Sequence, residues 1–294
     1  MERMHHEELV PSQSDKGRSV MNAAWTDRYM RALDATHEAG RRALEFFDRP
    51  LTVEWKANES PVTIADREAE NLLRQKILSR FPEDGFIGEE FGKVEGHSDF
   101  TWIVDPVDGT RSFVRGIPFW GTLVGLLYRG EPIAGICYIP PLNITYRGMR
   151  GEGAFREHRK LSVSNVEQWP ESQVFFSNLT LFMMDSARDG FMDLLNHAQR
   201  TRGYGDFYGF MLVAQGSGEV MLEYGVSSWD IAALIPIVEE AGGAFTDWDG
   251  NKSIHRPDVI ATNGKMHRAA LDILRKHRGP DWQKALAQHQ TKIV

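Results

Sequence analysis

The stretch Trp102–Phe113, "WIVDPVDGTRSF", decides the reading of this chain. An apolar, strand-like run ends in Asp105. Asp108 follows three residues on, with Gly109 and Thr110 directly behind it. An unpaired carboxylate at the end of a buried strand is destabilising by several kcal/mol, so these charges need a partner. A hard divalent cation such as Mg²⁺ suits a pair of carboxylates. Pro106 fixes the backbone after Asp105, and the Val107 carbonyl could face the same ion. Gly109 and Thr110 add backbone N–H groups, which form an anion nest if a helix starts there. An Asp-Gly pair alone is more often only a tight turn, so the remaining acids must tip the balance. Glu89 and Glu90 close another strand-like run, "GFIG". Asp230 follows Trp229 at the head of an apolar helix, where capping preference favours an N-cap. Asp247 in "DWDGN" reads as a surface turn.

A chain of 294 residues is long enough for one large domain or two smaller ones. A net charge of -7 argues against a broad basic face for nucleic acid. Anions would then be held by local devices such as helix N-termini, single basic residues or metal. The one cysteine, Cys137 in "IAGICYI", cannot form an intramolecular disulfide. It reads as a buried small hydrophobe in a reducing, cytoplasmic setting. No stretch approaches the ~20 apolar residues of a membrane helix. The start, "MERMHHEELVPSQSDKGRSV", lacks the apolar core of a secretory signal. It reads as a flexible leader over residues 1–22, with His5 and His6 on a solvated tail.

Apolar periodicity predicts a first helix from an N-cap near Thr26 and a second over about Ile64–Phe81. The second places Asp66 in its first turn, just after an extended arm containing Lys56. Arg129-Gly130-Glu131 joins two apolar runs as a hairpin. "NITYRG" and "GAFRE" continue the antiparallel pattern, and "LSVSNVEQWPES" reads as a crossover. Beyond it "QVFFSN", "EVMLEYG", "AFTDW" and "DVIATNG" read as strands. They alternate with helices in "SARDGFMDLLNHA", "FYGFMLVA", "WDIAALIPIVEEAGG" and a last one from near Lys265. Pro236 predicts a kink or an irregular turn in the third of these. The order implies an α+β half over 23–160 and an α/β half over 161–294, without internal repeats.

"GEE", "WIVDPVDGT" and "WDIAALIPIVEEAGG", in this order and separation, resemble the inositol monophosphatase superfamily of Mg²⁺-dependent, lithium-sensitive phosphatases. The resemblance runs from about Trp25 to Arg278. It implies a layered αβαβα sandwich, usually homodimeric, and a small phosphorylated metabolite as substrate, with no nucleic-acid or membrane partner. Carried onto this chain, it implies one metal held by Glu89, Asp105 and the Val107 carbonyl. A second is held by Asp105, Asp108 and Asp230, and Glu89 touches a third, weaker ion. Thr110 and Glu89 orient the attacking water, and Asp66 bonds the Thr110 hydroxyl. The Gly109 and Thr110 N–H groups bind phosphate. Lys56 either assists electrostatically or is simply exposed.

"RSFVRG" and "TRGYGDFYGF" are similar to the histidinol-phosphate phosphatase branch of that superfamily. Inositol phosphatases more typically carry asparagine where Ser112 stands, histidine where Arg115 stands, and alanine where Asp206 stands. Histidinol carries an ammonium group and an imidazole that can be protonated near neutral pH, so its pocket calls for carboxylates. Asp206 and Glu223 are the candidates. Glu223 alone does not discriminate, because an acid there also serves inositol hydroxyls, and Asp206 reads equally as a helix N-cap. The alternatives are an inositol-1-phosphate or broader sugar-phosphate monoesterase, and a non-enzymatic binding protein. Intact chemistry at Asp66, Glu89, Asp105, Asp108, Thr110 and Asp230 disfavours the last.

Overall fold

The computed structural model describes residues 13–50, 52–55, 61–183 and 187–277. His5, His6 and Lys56 lie outside them. Helices α1 (Gln13–Leu44) and α2 (Ile64–Arg80) lie side by side as the first layer. Buried alanines let them sit close: Ala32, Ala35, Ala39 and Ala43 on α1, Ala65 and Ala69 on α2. That spacing keeps one face of each helix inward. A short ribbon, β1 (Glu54–Trp55) with β2 (Pro61–Val62), leads into α2.

The second layer is an eight-stranded sheet. Its strands are β3 (Gly85–Gly88), β4 (Gly92–Val94), β5 (Phe100–Asp108), β6 (Gly121–Tyr128), β7 (Glu131–Ile139), β8 (Ile144–Met149), β9 (Gly153–Arg156) and β10 (Arg159–Lys160). Their spatial order is β10-β9-β8-β7-β6-β5-β3-β4. Only the β3–β5 pairing is parallel. One turn of helix, α3 (Thr110–Phe113), follows β5. Arg129 and Gly130 both take positive φ, as the tight β6–β7 hairpin requires.

A five-stranded sheet forms the fourth layer, in the order β12-β11-β13-β15-β14. Here β11 is Gln173–Phe176, β12 Arg200–Arg202, β13 Val220–Tyr224, β14 Ala244–Asp247 and β15 Asp258–Thr262. The helices α4 (Leu179–Phe182), α5 (Arg188–His197) and α9 (His267–Lys276) bury Phe182, Phe191, Leu194 and Leu274 against its outer face. Between the sheets lie α6 (Asp206–Ala214), α7 (Ser228–Ile231) and α8 (Leu234–Glu240). The molecule is thus the αβαβα sandwich expected.

The middle layer is seated by glycines. Gly125, Gly135 and Gly148 are in register across β6, β7 and β8. A Cβ on Gly135 would stand 1.8 Å from the Ala233 carbonyl oxygen, and one on Gly125 2.9 Å from the Ala232 carbonyl carbon. The bare backbone lets the α7–α8 segment lie directly on the sheet.

Two local expectations change and a third resolves to one of its two forms. The first helix begins at Gln13, so residues 13–22 are helical and Thr26 is inside the helix rather than capping it. No proline interrupts the stretch after Pro11, and its residues tolerate a helix. At Pro236 the irregular turn is what forms: Pro236 has no N–H for the Ala232 carbonyl, and residues 232–233 are a turn between α7 and α8. Asp247 is no surface turn but is 2% exposed. It accepts the N–H groups of Asp249 and Asn251, each at 2.8 Å, and Arg256 spans Asp249 and Asp258 beside it.

Candidate active site

Parallel pairing of β3 with β5 sets Gly88 opposite Val104, so Glu89 and Asp105 leave the sheet side by side. The carboxyl ends of parallel strands are where such folds bind ligands. Asp105 and Asp108 are three residues apart, and a regular strand would point them to opposite faces. A bulge prevents this: Asp105 pairs with Leu123 but Asp108 with Gly121, so β5 has one extra residue. Pro106 occupies the bulge, and its carbonyl accepts the Thr122 hydroxyl at 2.9 Å. Asp105 Oδ1 accepts the Val107 N–H at 3.0 Å.

Asp230 arrives from the middle layer. It is not the N-cap of α7; Ser227 is, and Asp230 closes the capping box by accepting the Ser227 N–H at 2.6 Å. One carboxylate oxygen from each of Asp105, Asp108 and Asp230 lies within 4.8 Å of the others. Burial, then the charges of Glu89, Asp108 and Asp230, push Asp105 well above the usual carboxylate range. Asp108 rises for the same reasons, with Asp206 its strongest neighbour. Burial and Glu89 raise Asp230 to about 7. Glu89 is half-buried and stands outside the tight trio, yet its charge acts on all three. Hard oxygen donors, raised first by burial and then by their mutual repulsion, fit a divalent cation.

Thr110 starts α3, behind Gly109 at φ 86. The Thr110 hydroxyl donates to Asp66 Oδ1 at 3.2 Å and to the Val107 carbonyl at 3.0 Å. Both bonds use its proton, so its lone pairs are left to accept from a water. Asp66 is fully buried, and its other oxygen accepts the N–H and hydroxyl of Thr63, the N-cap of α2. The Val107 carbonyl therefore already serves Thr110, with one lone pair remaining.

A cavity of about 230 Å³ opens beside the trio, lined among others by Asp108, Asp230, Arg111, Ser177, Asp206 and Glu223. Asp206 does not cap α6. Gly205 is the N-cap, Asp206 takes the left-handed φ of 53, and Asp108 accepts the Phe207 N–H at 2.9 Å in the capping role. Asp206 is solvent-exposed where it lines the cavity, with protein atoms crowding its inner side. Burial raises it to about 6, against the opposing pull of Arg111. Glu223 is 6% exposed; Ser177 donates its hydroxyl to Oε1, while Oε2 is buried without a partner. Of the "RSFVRG" stretch, Arg111 lines the cavity, whereas Arg115 is exposed in the turn after α3. The sequence reading passed over Arg111 and Ser177. Arg111 had a signal in its place next to Thr110; Ser177 had none, because only strand packing brings it to Glu223.

The model of the inositol monophosphatase family matches residues 26–279. A histidinol-phosphatase of Chlorobaculum parvum is 40% identical over 81% of this chain and 92% of its own length. The histidinol-phosphatase of Mycobacterium tuberculosis is 42% identical over 76% of this chain and 88% of its own. Among solved structures, the extragenic suppressor protein suhB from Bartonella henselae superposes with a TM-score of 0.80 at 28% identity. That match covers 85% of this chain and 99% of the other.

Proposed function

This chain belongs to the inositol monophosphatase family and is a phosphoric monoester hydrolase, and from that premise we propose that it hydrolyses histidinol phosphate in histidine biosynthesis. The observation that carries the substrate is the pairing of Asp206 with the unpartnered Oε2 of Glu223 across one cavity beside the acidic trio. Two acids facing a leaving group suit an amino alcohol with a cationic end better than a neutral polyol.

In this reading Asp105, Asp108 and Asp230 would hold Mg²⁺, with Glu89 and the Val107 carbonyl completing the donors for two or three ions. Bound there, the metal would make water acidic and neutralise the phosphate. The protein's own groups then do the positioning. Thr110 accepts a hydrogen bond from the attacking water, because Asp66 and Val107 take its proton. Glu89 holds that water from the other strand. The Gly109 and Thr110 N–H groups receive phosphate oxygens, and Asp206 and Glu223 fix the leaving group. The half over 23–160 supplies most metal donors; the half over 161–294 supplies Asp230 and the substrate acids. We read the protein as a lithium-sensitive, cytoplasmic homodimer, on the family resemblance and on a single buried cysteine. Among the described residues no helix is long and apolar enough to cross a membrane.

A second reading, an inositol-1-phosphate or sugar-phosphate monoesterase, draws on the same Glu223 oxygen, which a hydroxyl would satisfy equally well. Steady-state kinetics with both substrates, with and without Mg²⁺, separate the two. The proposal expects kcat/KM for histidinol phosphate to exceed that for inositol 1-phosphate by about 10- to 100-fold, the value of one charged hydrogen bond. Comparable values would overturn it.

A further inference from the structure

We infer that Glu70 is a positioning residue, which sets Glu89 against the acidic trio without touching metal or substrate; this rests on the metal site proposed above. Glu70 lies one helical turn after Asp66, so the two share a face of α2. Both are fully buried. Asp66 reaches Thr110. Glu70 reaches the three-residue turn between β3 and β4: its Oε2 accepts the Glu90 N–H at 2.7 Å and its Oε1 the Phe91 N–H at 2.9 Å. Glu89 is the first residue of that turn.

Phe91 is 42% exposed, yet its N–H and that of Glu90 point inward to a carboxylate that is 0% exposed. The turn is short because Gly88 and Gly92 are paired across it, and a turn of that length has few ways to aim its first side chain. Gly88 also makes room for the carboxylate: a Cβ there would stand 2.0 Å from Glu70 Oε1. One face of α2 therefore aligns both groups assigned to the attacking water, Thr110 through Asp66 and Glu89 through Glu70.

The test is Glu70→Gln, which preserves size but turns an N–H donor toward one of the two turn N–H groups. Mg²⁺ binding by isothermal titration calorimetry should weaken about tenfold or more, the usual effect of losing a group that orients a metal ligand. In kinetics kcat and the Mg²⁺ midpoint should move while KM for the phosphate ester holds. The control is Glu219→Gln, another buried carboxylate that accepts a backbone N–H, from Gln173 at 2.6 Å, remote from the trio. It should lower the melting temperature and leave Mg²⁺ affinity unchanged. If Glu70→Gln does not fold, hydrogen exchange on the intact protein decides. The Glu90 and Phe91 amides should be protected despite their place in a surface turn, and fast exchange would overturn the inference. Folded Glu70→Gln with wild-type Mg²⁺ affinity would overturn it too. Failure of the wild-type protein to bind Mg²⁺ would instead strike the metal site itself.

Discussion

Stripping metal from the trio should make stability fall as pH rises, and Mg²⁺ should reverse the fall. Asp230 is raised from 3.8 to about 7. A group whose folded pKa is raised contributes stability that is fully present below its unfolded value and lost as pH climbs through the folded one. The window here is about pH 4 to 7. At about 1.4 kcal/mol per pH unit the loss at Asp230 is on the order of 4 kcal/mol, and closer to ~2 once water reaching this half-buried side chain is allowed for. Asp105 and Asp108 shift in the same direction. Between pH about 5.5 and about 8 only the upper half of that window is crossed, so at roughly 2–4 °C per kcal/mol Asp230 alone should make metal-free protein melt about 2–4 °C lower at the higher pH, with Asp105 and Asp108 adding in the same direction. Mg²⁺ at about a hundred times its Kd adds about 2.7 kcal/mol and should act mainly at the higher pH, where it no longer competes with protons. Scanning calorimetry with chelator and with Mg²⁺, at both pH values, measures all four corners. Asp230→Asn isolates the trio from other titrating groups: it should flatten the metal-free pH dependence and suppress the Mg²⁺ gain. An equal Mg²⁺ gain at both pH values, or an unaltered pH dependence in Asp230→Asn, would refute the argument.

Asp108→Asn should lose most turnover, at least a thousandfold, yet stay folded, because an amide oxygen can still accept the Phe207 N–H; near-normal turnover would contradict the metal assignment. Asp206→Asn should lower kcat/KM for histidinol phosphate by about 10- to 100-fold while changing an ester with a neutral alcohol less than about threefold. A parallel loss on both would assign Asp206 to the fold alone. Asp84→Ala should destabilise by about 3–5 kcal/mol in urea melts. It strands Arg28, which bonds Asp84 at 2.8 Å and stacks on Phe81 and Phe100, and leaves the Trp102 indole N–H unmatched. Gly135→Ala should lose about 1–3 kcal/mol or more and weaken Mg²⁺ binding in calorimetry, since the new methyl drives the Ala233 backbone and, through α7, Asp230.

The layers were legible because each element declares itself locally. Alanine and leucine periodicity marked α2 to within a residue, and the Arg129-Gly130 turn marked the β6–β7 hairpin. What was hidden is non-local. The glycines of β6, β7 and β8 look unremarkable in sequence, and only register places them in one row beneath α7 and α8. Nothing in the sequence singles out Asp84, which follows Pro82 and Glu83, yet the fold threads Arg28, Ser98 and Trp102 onto it. Capping preferences misled for a related reason: they score one residue against its own helix. Asp230 sits at the third helical position behind Ser227, and α6 takes its cap from Asp108, ninety-nine positions away.

That last bond bears on how the site is tied together. Asp108 is at once a member of the trio and the group that accepts the N–H of Phe207 in the first turn of α6, the helix that starts with Asp206. Asp206 is held at a left-handed φ of 53, a conformation aspartate tolerates at modest strain. Its placement over the cavity thus depends on a carboxylate of the acidic trio. The charges reinforce the link, since Asp206 is the strongest neighbour acting on Asp108. A cation at the trio would draw Asp108 toward the ion, and the Phe207 N–H and Asp206 with it. Metal occupancy and recognition of a cationic leaving group are then coupled. Mg²⁺ and an uncharged-phosphate analogue of histidinol phosphate should each tighten the other's binding in titration calorimetry. Because linkage is reciprocal, the same factor must appear in both directions, and independent binding would break the connection between the two halves of the site.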